Sequence, residues 1–425
     1  MRLPLLFSFI CLLIALPTIA QDDMVIPDAV PLVDEGDYDI IHILLMGSAT
    51  YNDANYAGLT DTLMVVSLNA DTGDVAIVSI PRDFYAYVPD YGMYKINQTY
   101  FIAERAAQGT GVDVLQDTIT YNFGLEIDYW AWVNFDGFAD LVDAVGGVDV
   151  AVDCAIEDWM LKEPDLNRND ADNWEMVTLW AGMHHMDGDL ALWYVRSRRT
   201  SSDLDRARRQ QDLLRAIWRK IRADGMLENF PTLWEQFNTV VDTNITLADA
   251  TRLFPLVANL DTGSIRYYNM RLKHELNRGY TPDEGRFIFT PKPEGLAAMM
   301  QELVTPPTRS RLASNLPTVA IYNGSGIIGL DWVAAQRLER EGFRTIVTRE
   351  WTNPRNYNFL IDHIAETKNS PVPIIQKVMR VADESVRIDP DAARDYDYEL
   401  HLGNNYQFSA CTFPVAQPTH DDETE

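Results

Sequence analysis

Ten of the 35 lysines and arginines in this chain fall between Arg196 and Arg222, although its formal net charge is −28. The run contains Arg196, Arg198 and Arg199, then Asp203, Arg206, Arg208, Arg209 and Gln210. A guanidinium presents a planar fork that matches phosphate oxygens two at a time, so this concentration suits a discrete anionic group. Further upstream, Asp61-Thr62 begins an apolar run, Arg82-Asp83 follows another, and Lys95-Ile96-Asn97 comes soon after. In an open α/β sheet, ligands collect where strands end, so Asp61, Arg82, Asp83 and Lys95 can share one edge. Carboxylates beside cations there suit a metal-bridged phosphate, because Mg²⁺ takes one or two carboxylates and otherwise substrate oxygens and water. The competing reading is a solvated helix face, its charges paired through the interleaved Asp203, Asp205 and Asp212. The acidic balance argues against nucleic acid, which demands a broad basic surface.

The elements that must position these residues follow from apolar patterning. Ile40–Met46 reads as a strand buried on both faces, and Leu63–Leu68 and Val75–Ile80 as two more joined by a turn at 69–74. Residues 101–122 have helical spacing, Tyr129–Val133 is an aromatic strand, and Asp136–Val145 is a helix stopped by Gly146-Gly147. Val148–Val152 alternates as a half-buried strand, 157–178 reads as a polar irregular excursion, and Met186–Val195 as a short helix leading into a strand. Asp203–Ile221 is a long helix with Leu213, Leu214, Ile217 and Trp218 on its buried stripe. Strands and helices alternate, which gives an α/β fold.

At 425 residues the chain has room for more than one domain. Residues 1–20 read as a signal peptide: Arg2, an apolar stretch from Leu3 to Leu16, and a small-residue site ending at Ala20. Cleavage after Ala20 is preferred to retention as an anchor, so the protein is expected outside the cytoplasm, secreted or envelope-associated. Residues 21–37 form an acidic linker, 306–316 a proline-rich one, and 407–425 a Pro-rich, then acidic tail. Removing the signal would leave Cys154 and Cys411, and an oxidising compartment favours a disulfide between them.

Gly324-Ser325-Gly326-Ile327-Ile328-Gly329 fits a dinucleotide-binding fingerprint, with Glu350 at the end of the next strand. A tight strand-to-helix turn explains the same glycines and is preferred, because the remaining chain is short for a dinucleotide fold.

Taken in order, Asp61-Thr62, Ser79-Ile80-Pro81-Arg82-Asp83, Lys95-Ile96-Asn97, Val133-Asn134-Phe135-Asp136-Gly137-Phe138, Val142–Val150 and Gly188–Arg198 resemble the LytR–CpsA–Psr family. Asp203, Arg206, Arg209 and Gln210 continue the pattern. The resemblance covers residues 38–305, and residues 317–406 are similar to the LytR C-terminal domain, a second and smaller α/β unit. It implies an α/β/α sandwich whose apolar interior receives a prenyl chain. The implied activity is Mg²⁺-assisted phosphotransfer of a glycopolymer from a polyprenyl-pyrophosphate carrier to peptidoglycan or another envelope acceptor, beside the membrane that holds the carrier. By position, Arg82, Arg196 and Arg198 would hold the pyrophosphate, completed by Arg206, Arg209 and Gln210, with Lys95 and Asn97 as further substrate contacts. Asp61 would bind Mg²⁺. Asp83 and Asp203 would orient these groups, and one of the two would accept the proton of the attacking hydroxyl; the resemblance does not decide which. Trp130, Trp132 and Phe138 are candidates for the tunnel lining.

Two positions depart from the family's pattern. Ala49 stands where an aspartate is usual, and Leu59 where an arginine is usual. One metal ligand and one pyrophosphate contact are therefore missing, unless Asp53 folds back to replace the carboxylate. The alternatives are a non-catalytic prenyl-diphosphate or wall-polymer binding protein, and a pyrophosphatase that uses water as acceptor.

Overall fold

The computed structural model describes residues 26–50, 58–258, 260, 265–306, 316–351, 356–366, 370–391 and 393–406. Residues 1–20, expected as a signal peptide, lie outside them, as do Asp53 and Cys411. Among the described residues no helix is long and apolar enough to cross a membrane. Cys154 is disulfide-bonded.

The central sheet is built on β1 (Ile40–Ser48), β2 (Thr60–Asn69) and β3 (Val75–Ser79), with β4 (Tyr85–Val88) and β5 (Gly92–Lys95) forming a separate hairpin after them. Strand β6 (Tyr129–Val133) runs parallel to β1, whereas β2 is antiparallel to both β1 and β3. Alternation along β1 divides its side chains between two cores, as the strand period requires. Ile40, Leu44 and Met46 face a core shared with α2 (Gly111–Phe123), which follows α1 (Thr99–Ala106). Ile41 faces the opposite core, with Ile43 and Leu45 packed against it. Helices therefore cover both faces, and the fold is the expected α/β/α sandwich.

The chain continues through α3 (Phe135–Ala144), β7 (Val148–Val152), β8 (Ile156–Leu161), β9 (Trp174–Leu179), β10 (Gly182–Met186), α4 (Gly188–Arg196) and α5 (Asp203–Ala223). Two sequence expectations fail here. Residues 157–178 are not an irregular excursion, because β8 and β9 pair as an antiparallel hairpin with Trp159 opposite Met176. The segment around Met186 is a strand leading into a helix, the reverse of the expected order. Asp187 forces that boundary: its side chain accepts the Leu190 amide and caps α4.

Next come α6 (Phe230–Val240), β11 (Asp242–Thr243), α7 (Leu247–Ala258), β12 (Ile265–Asn269), β13 (Leu276–Tyr280), β14 (Phe287–Pro291) and α8 (Pro293–Val304). Strands β11 and β12 close the two edges of the six-stranded sheet, whose order is β11-β6-β1-β2-β3-β12.

A second sheet with its own core contains β15 (Thr318–Asn323), β16 (Arg344–Trp351), β17 (Phe359–Asp362), β18 (Val386–Ile388) and β19 (Tyr398–Leu402). Helix α9 (Leu330–Arg340) packs against this sheet, as does α10 (Val372–Met379). The glycine-rich segment is the turn between β15 and α9. Asn323 Oδ1 accepts from the Ser325 amide and hydroxyl, and Gly329 adopts φ +78° with its backbone against Met183.

Helix α9 also joins the two halves of the molecule. Val148, Val150 and Val152 of β7 face the core under α4 and α5, while Ala151 faces the second core. Arg340 pairs with Asp212 on α5 and lies 3.6 Å from Asp153, and Arg337 donates to Asp153 at 2.9 Å. Burial pushes the Asp153 carboxyl up, but the two arginines outweigh it and hold it well below the ordinary value. Fully buried Arg215 donates to the Gln336 carbonyl at 3.3 Å. The arginine helix is thus gripped from behind by the C-terminal unit.

Candidate active site

The site forms where β1, β2, β6, α4 and α5 end or begin at one edge of the sheet. Gly47 permits the close approach of β2, since a Cβ there would sit 2.9 Å from Cβ of Thr62. Asn134 caps α3 by accepting the Gly137 amide at 2.8 Å, and the Phe135 amide donates to the Thr50 carbonyl at 2.9 Å. Helix α5 begins with a capping box between Ser202 and Asp205.

Between the sheet and α5 lies a cavity of about 390 Å³. Its inner wall is apolar, with Leu45, Ala131, Phe138, Leu141, Leu214 and Phe237 among the lining residues. Trp132 also lines it and Trp130 does not, although both pack against the core that Leu44 and Met46 face. The polar lining consists of Ser48, Asp61, Thr62, Asn134, Arg196, Arg198, Arg206 and Gln210. An apolar cavity with convergent polar groups is the usual form of a small-molecule site.

The cations are held by identifiable partners. Asp203 sits between Arg198 and Arg206, at 2.9 and 3.3 Å. Burial lowers the Arg206 guanidinium to about 10, opposed by Asp203, and it stays charged at neutral pH. The Arg196 guanidinium lies over the Phe135 ring, 3.9 Å from its centroid. Gln210 Nε2 donates to Thr62 Oγ1 at 2.8 Å, and its neighbour Gln211 donates to Ser79 Oγ at 2.8 Å. Consecutive glutamines thereby tie α5 to β2 and β3.

Behind the cavity lies a supporting layer. Arg82 Nη1 donates to Asp61 Oδ2 at 2.9 Å, and Asn97 Nδ2 donates to Asp61 Oδ1 at 3.0 Å. Lys95 Nζ donates to Asp83 Oδ1 at 2.7 Å, and Arg82 Nε lies 3.6 Å from Asp83 Oδ2. Asp61 faces the cavity; Arg82, Asp83, Lys95 and Asn97 do not line it. The polar ends of Lys95 and Asn97, expected as substrate contacts, are here committed to Asp83 and Asp61. Asp83 is buried, with Arg82 and Lys95 as its charged neighbours.

Arg209 is a further correction. It does not join the other arginines; its buried guanidinium donates to the carbonyls of Tyr194 and Ser197 and to Ser201 Oγ. Those carbonyls end α4, where the helix leaves acceptors unsatisfied. Arg209 staples the α4–α5 connection and so fixes the backbone that carries Arg196 and Arg198.

No group of three or more His, Cys, Asp or Glu able to hold a metal occurs among the described residues. Asp61 is the carboxylate lining the cavity, with the Ser48 and Thr62 hydroxyls nearby in the lining. This donor set fits Mg²⁺ as an ion shared with phosphate oxygens and water, not as one chelated by protein alone.

Sequence reasoning missed Thr62 as the partner of Gln210 and Phe135 as the ring beneath Arg196. Both lie within the family-like motifs, but neither residue type announces such a role.

Comparison with known proteins gives the family. Over 173 residues the chain is 36% identical to a probable cell wall biosynthesis protein, LcpB, of Corynebacterium glutamicum, covering 40% of this chain and 36% of that one. Over 201 residues it is 30% identical to the polyisoprenyl-teichoic acid–peptidoglycan teichoic acid transferase TagT of Bacillus subtilis, covering 47% and 58%. The matches thus span 36% and 58% of these relatives' lengths, less than two thirds of either. The crystal structure of B. subtilis TagV superposes with a TM-score of 0.51 at 25% identity, covering 63% of this chain and 99% of that one. The LytR_cpsA_psr family matches residues 20–287, and the chain belongs to that family.

Proposed function

We propose that this protein transfers a glycopolymer from a polyprenyl-pyrophosphate carrier to peptidoglycan or a similar envelope acceptor, outside the cytoplasm and beside the membrane holding the carrier. The observation that carries the reading is an apolar cavity bordered by Arg196, Arg198 and Arg206. A prenyl chain gains from burial in such a cavity, while its diphosphate requires the cations. The relatives named as teichoic acid transferases support the same reaction class.

In this reading the acceptor hydroxyl attacks the sugar-linked phosphorus, a new P–O bond forms, and the phosphoanhydride bridge breaks to release polyprenyl phosphate. The reaction demands stabilisation of charge on the leaving phosphate and an in-line acceptor. Arg198 and Arg206, aligned by Asp203, supply fixed positive charge; Arg196 and Gln210 complete the rim. Asp61, oriented by Arg82 and Asn97, would hold Mg²⁺ together with substrate oxygens. When bound, that ion would neutralise phosphate charge. Of the two carboxylates the resemblance left open, Asp203 is the one among the rim arginines.

The test is incubation of the purified protein with a prenyl-diphosphate-linked saccharide, acceptor and Mg²⁺, followed by product analysis. Transfer to the acceptor supports the reading, and release of free saccharide phosphate alone indicates a pyrophosphatase. Tight binding without turnover, unchanged by EDTA, indicates the binding-protein reading, which Ala49 and Leu59 favour.

A further inference from the structure

We infer that the groove between strand β8 and helix α4 is the subsite for a neutral glycan strand of the acceptor, an inference that rests on the transfer reading above. The groove is about 550 Å³ and is separate from the apolar cavity, yet Leu192 and Arg196 line both. A strand lying in it would reach Arg196, which the groove shares with the cavity rim.

The walls suit carbohydrate. Trp159, Trp174 and Trp193 line the groove; Trp193 is buried in the core beneath it, whereas Trp159 is 53% exposed. The indole N–H of Trp193 donates to the Trp159 carbonyl at 3.0 Å, and that of Trp174 to the Arg168 carbonyl at 3.1 Å. These bonds fix two of the rings before any ligand arrives, which lowers the ordering cost of binding. Pyranose rings have one face of C–H groups, which packs on the electron-rich face of an indole.

Charge selects among sugar polymers. Asp158, Asp187 and Asp189 oppose Lys162, Arg168 and Arg196 along the groove, three of each sign. A polyanionic donor polymer gains no net attraction from such a lining. A neutral strand finds acceptors and donors for its hydroxyl and amide groups, so the occupant is the acceptor.

The test uses the full chain and tetra-N-acetylchitotetraose, a soluble neutral glycan, in calorimetric titrations. Trp159→Ala and the double variant with Trp174→Ala are compared with wild type. A prenyl diphosphate is titrated in parallel, and circular dichroism checks folding. The expected result is saccharide affinity reduced about tenfold or more, with prenyl-diphosphate affinity retained. Prenyl-diphosphate binding without saccharide binding, or saccharide binding equal in all folded variants, overturns the groove assignment alone. Absence of prenyl-diphosphate binding by wild type overturns the transfer reading and the groove with it. If the double variant fails to fold, Trp159→Ala decides, because its exposed ring contributes little to the core.

Discussion

The Ala49 amide donates to the Leu59 carbonyl at 2.8 Å, so the two positions at which this chain departs from its family's pattern are directly paired. Ala49 lines the cavity. A lost aspartate and a lost arginine at paired positions remove one negative and one positive charge together. Relative to the family's pattern, the rim's net charge would be unchanged, while its capacity to chelate an ion would fall. Ala49→Asp is therefore expected to lower the Mg²⁺ concentration for half-maximal transfer by about tenfold or more. Calorimetric Mg²⁺ titration in the presence of a prenyl diphosphate measures the same change without turnover. No change in either quantity would show that position 49 does not reach the ion.

Arg206 is the most buried of the rim arginines and has Asp203 as its partner. Arg206→Ala is expected to reduce transfer by about 10²–10³-fold, the range for removing a fixed donor from developing charge. Arg206→Lys should recover little, because an ammonium cannot reproduce the fork. Steady-state rates with saturating donor check both variants.

Arg209, three residues further along the same helix, is expected to behave differently. Arg209→Ala leaves buried carbonyls of Tyr194 and Ser197 without their donor, at a cost of about 2–5 kcal/mol in stability. Urea unfolding measures that loss. Calorimetric titration of the folded fraction should show prenyl-diphosphate affinity within about threefold of wild type, far less than the Arg206→Ala effect.

Arg340→Ala removes the partner of Asp212 and a neighbour of Asp153, and a broken buried pair costs about 3–5 kcal/mol. The same contact sets a pH dependence. Asp153 is depressed in the folded protein, so its contribution is present above the ordinary aspartate value of 3.8 and is lost as pH falls below it. Thermal unfolding should show stability falling below about pH 4, and less steeply in Asp153→Asn. Equal acid sensitivity in both proteins would show that other carboxylates carry the effect.

Leu214 lines the cavity from α5. Leu214→Trp should fill part of it, at an overpacking cost of about 1–3 kcal/mol. Affinity for a long-chain prenyl diphosphate is expected to fall while that for a short-chain analogue is retained. An equal loss for both chain lengths would place the lipid elsewhere.

Much of this protein was legible in order along the chain. Apolar runs gave β1, β2 and β3, a long apolar stripe gave α5, and motif order pointed to Asp61, Arg196, Arg198 and Arg206. These signals are local: strand alternation and helix period are written in neighbouring residues. What the sequence left open was where each side chain is spent. Arg206 and Arg209 share a helix and a residue type, and packing alone sends one to the cavity rim and the other to the end of α4. Asp61 and Asp83 both follow the family's spacing, but sheet geometry puts one at the cavity and the other behind Arg82. The β8–β9 hairpin was missed because its outer face is held by pairing across twelve intervening residues, from Leu161 to Trp174. Side-chain direction depends on the partners that desolvate or neutralise each group, and those partners come together only in the folded chain.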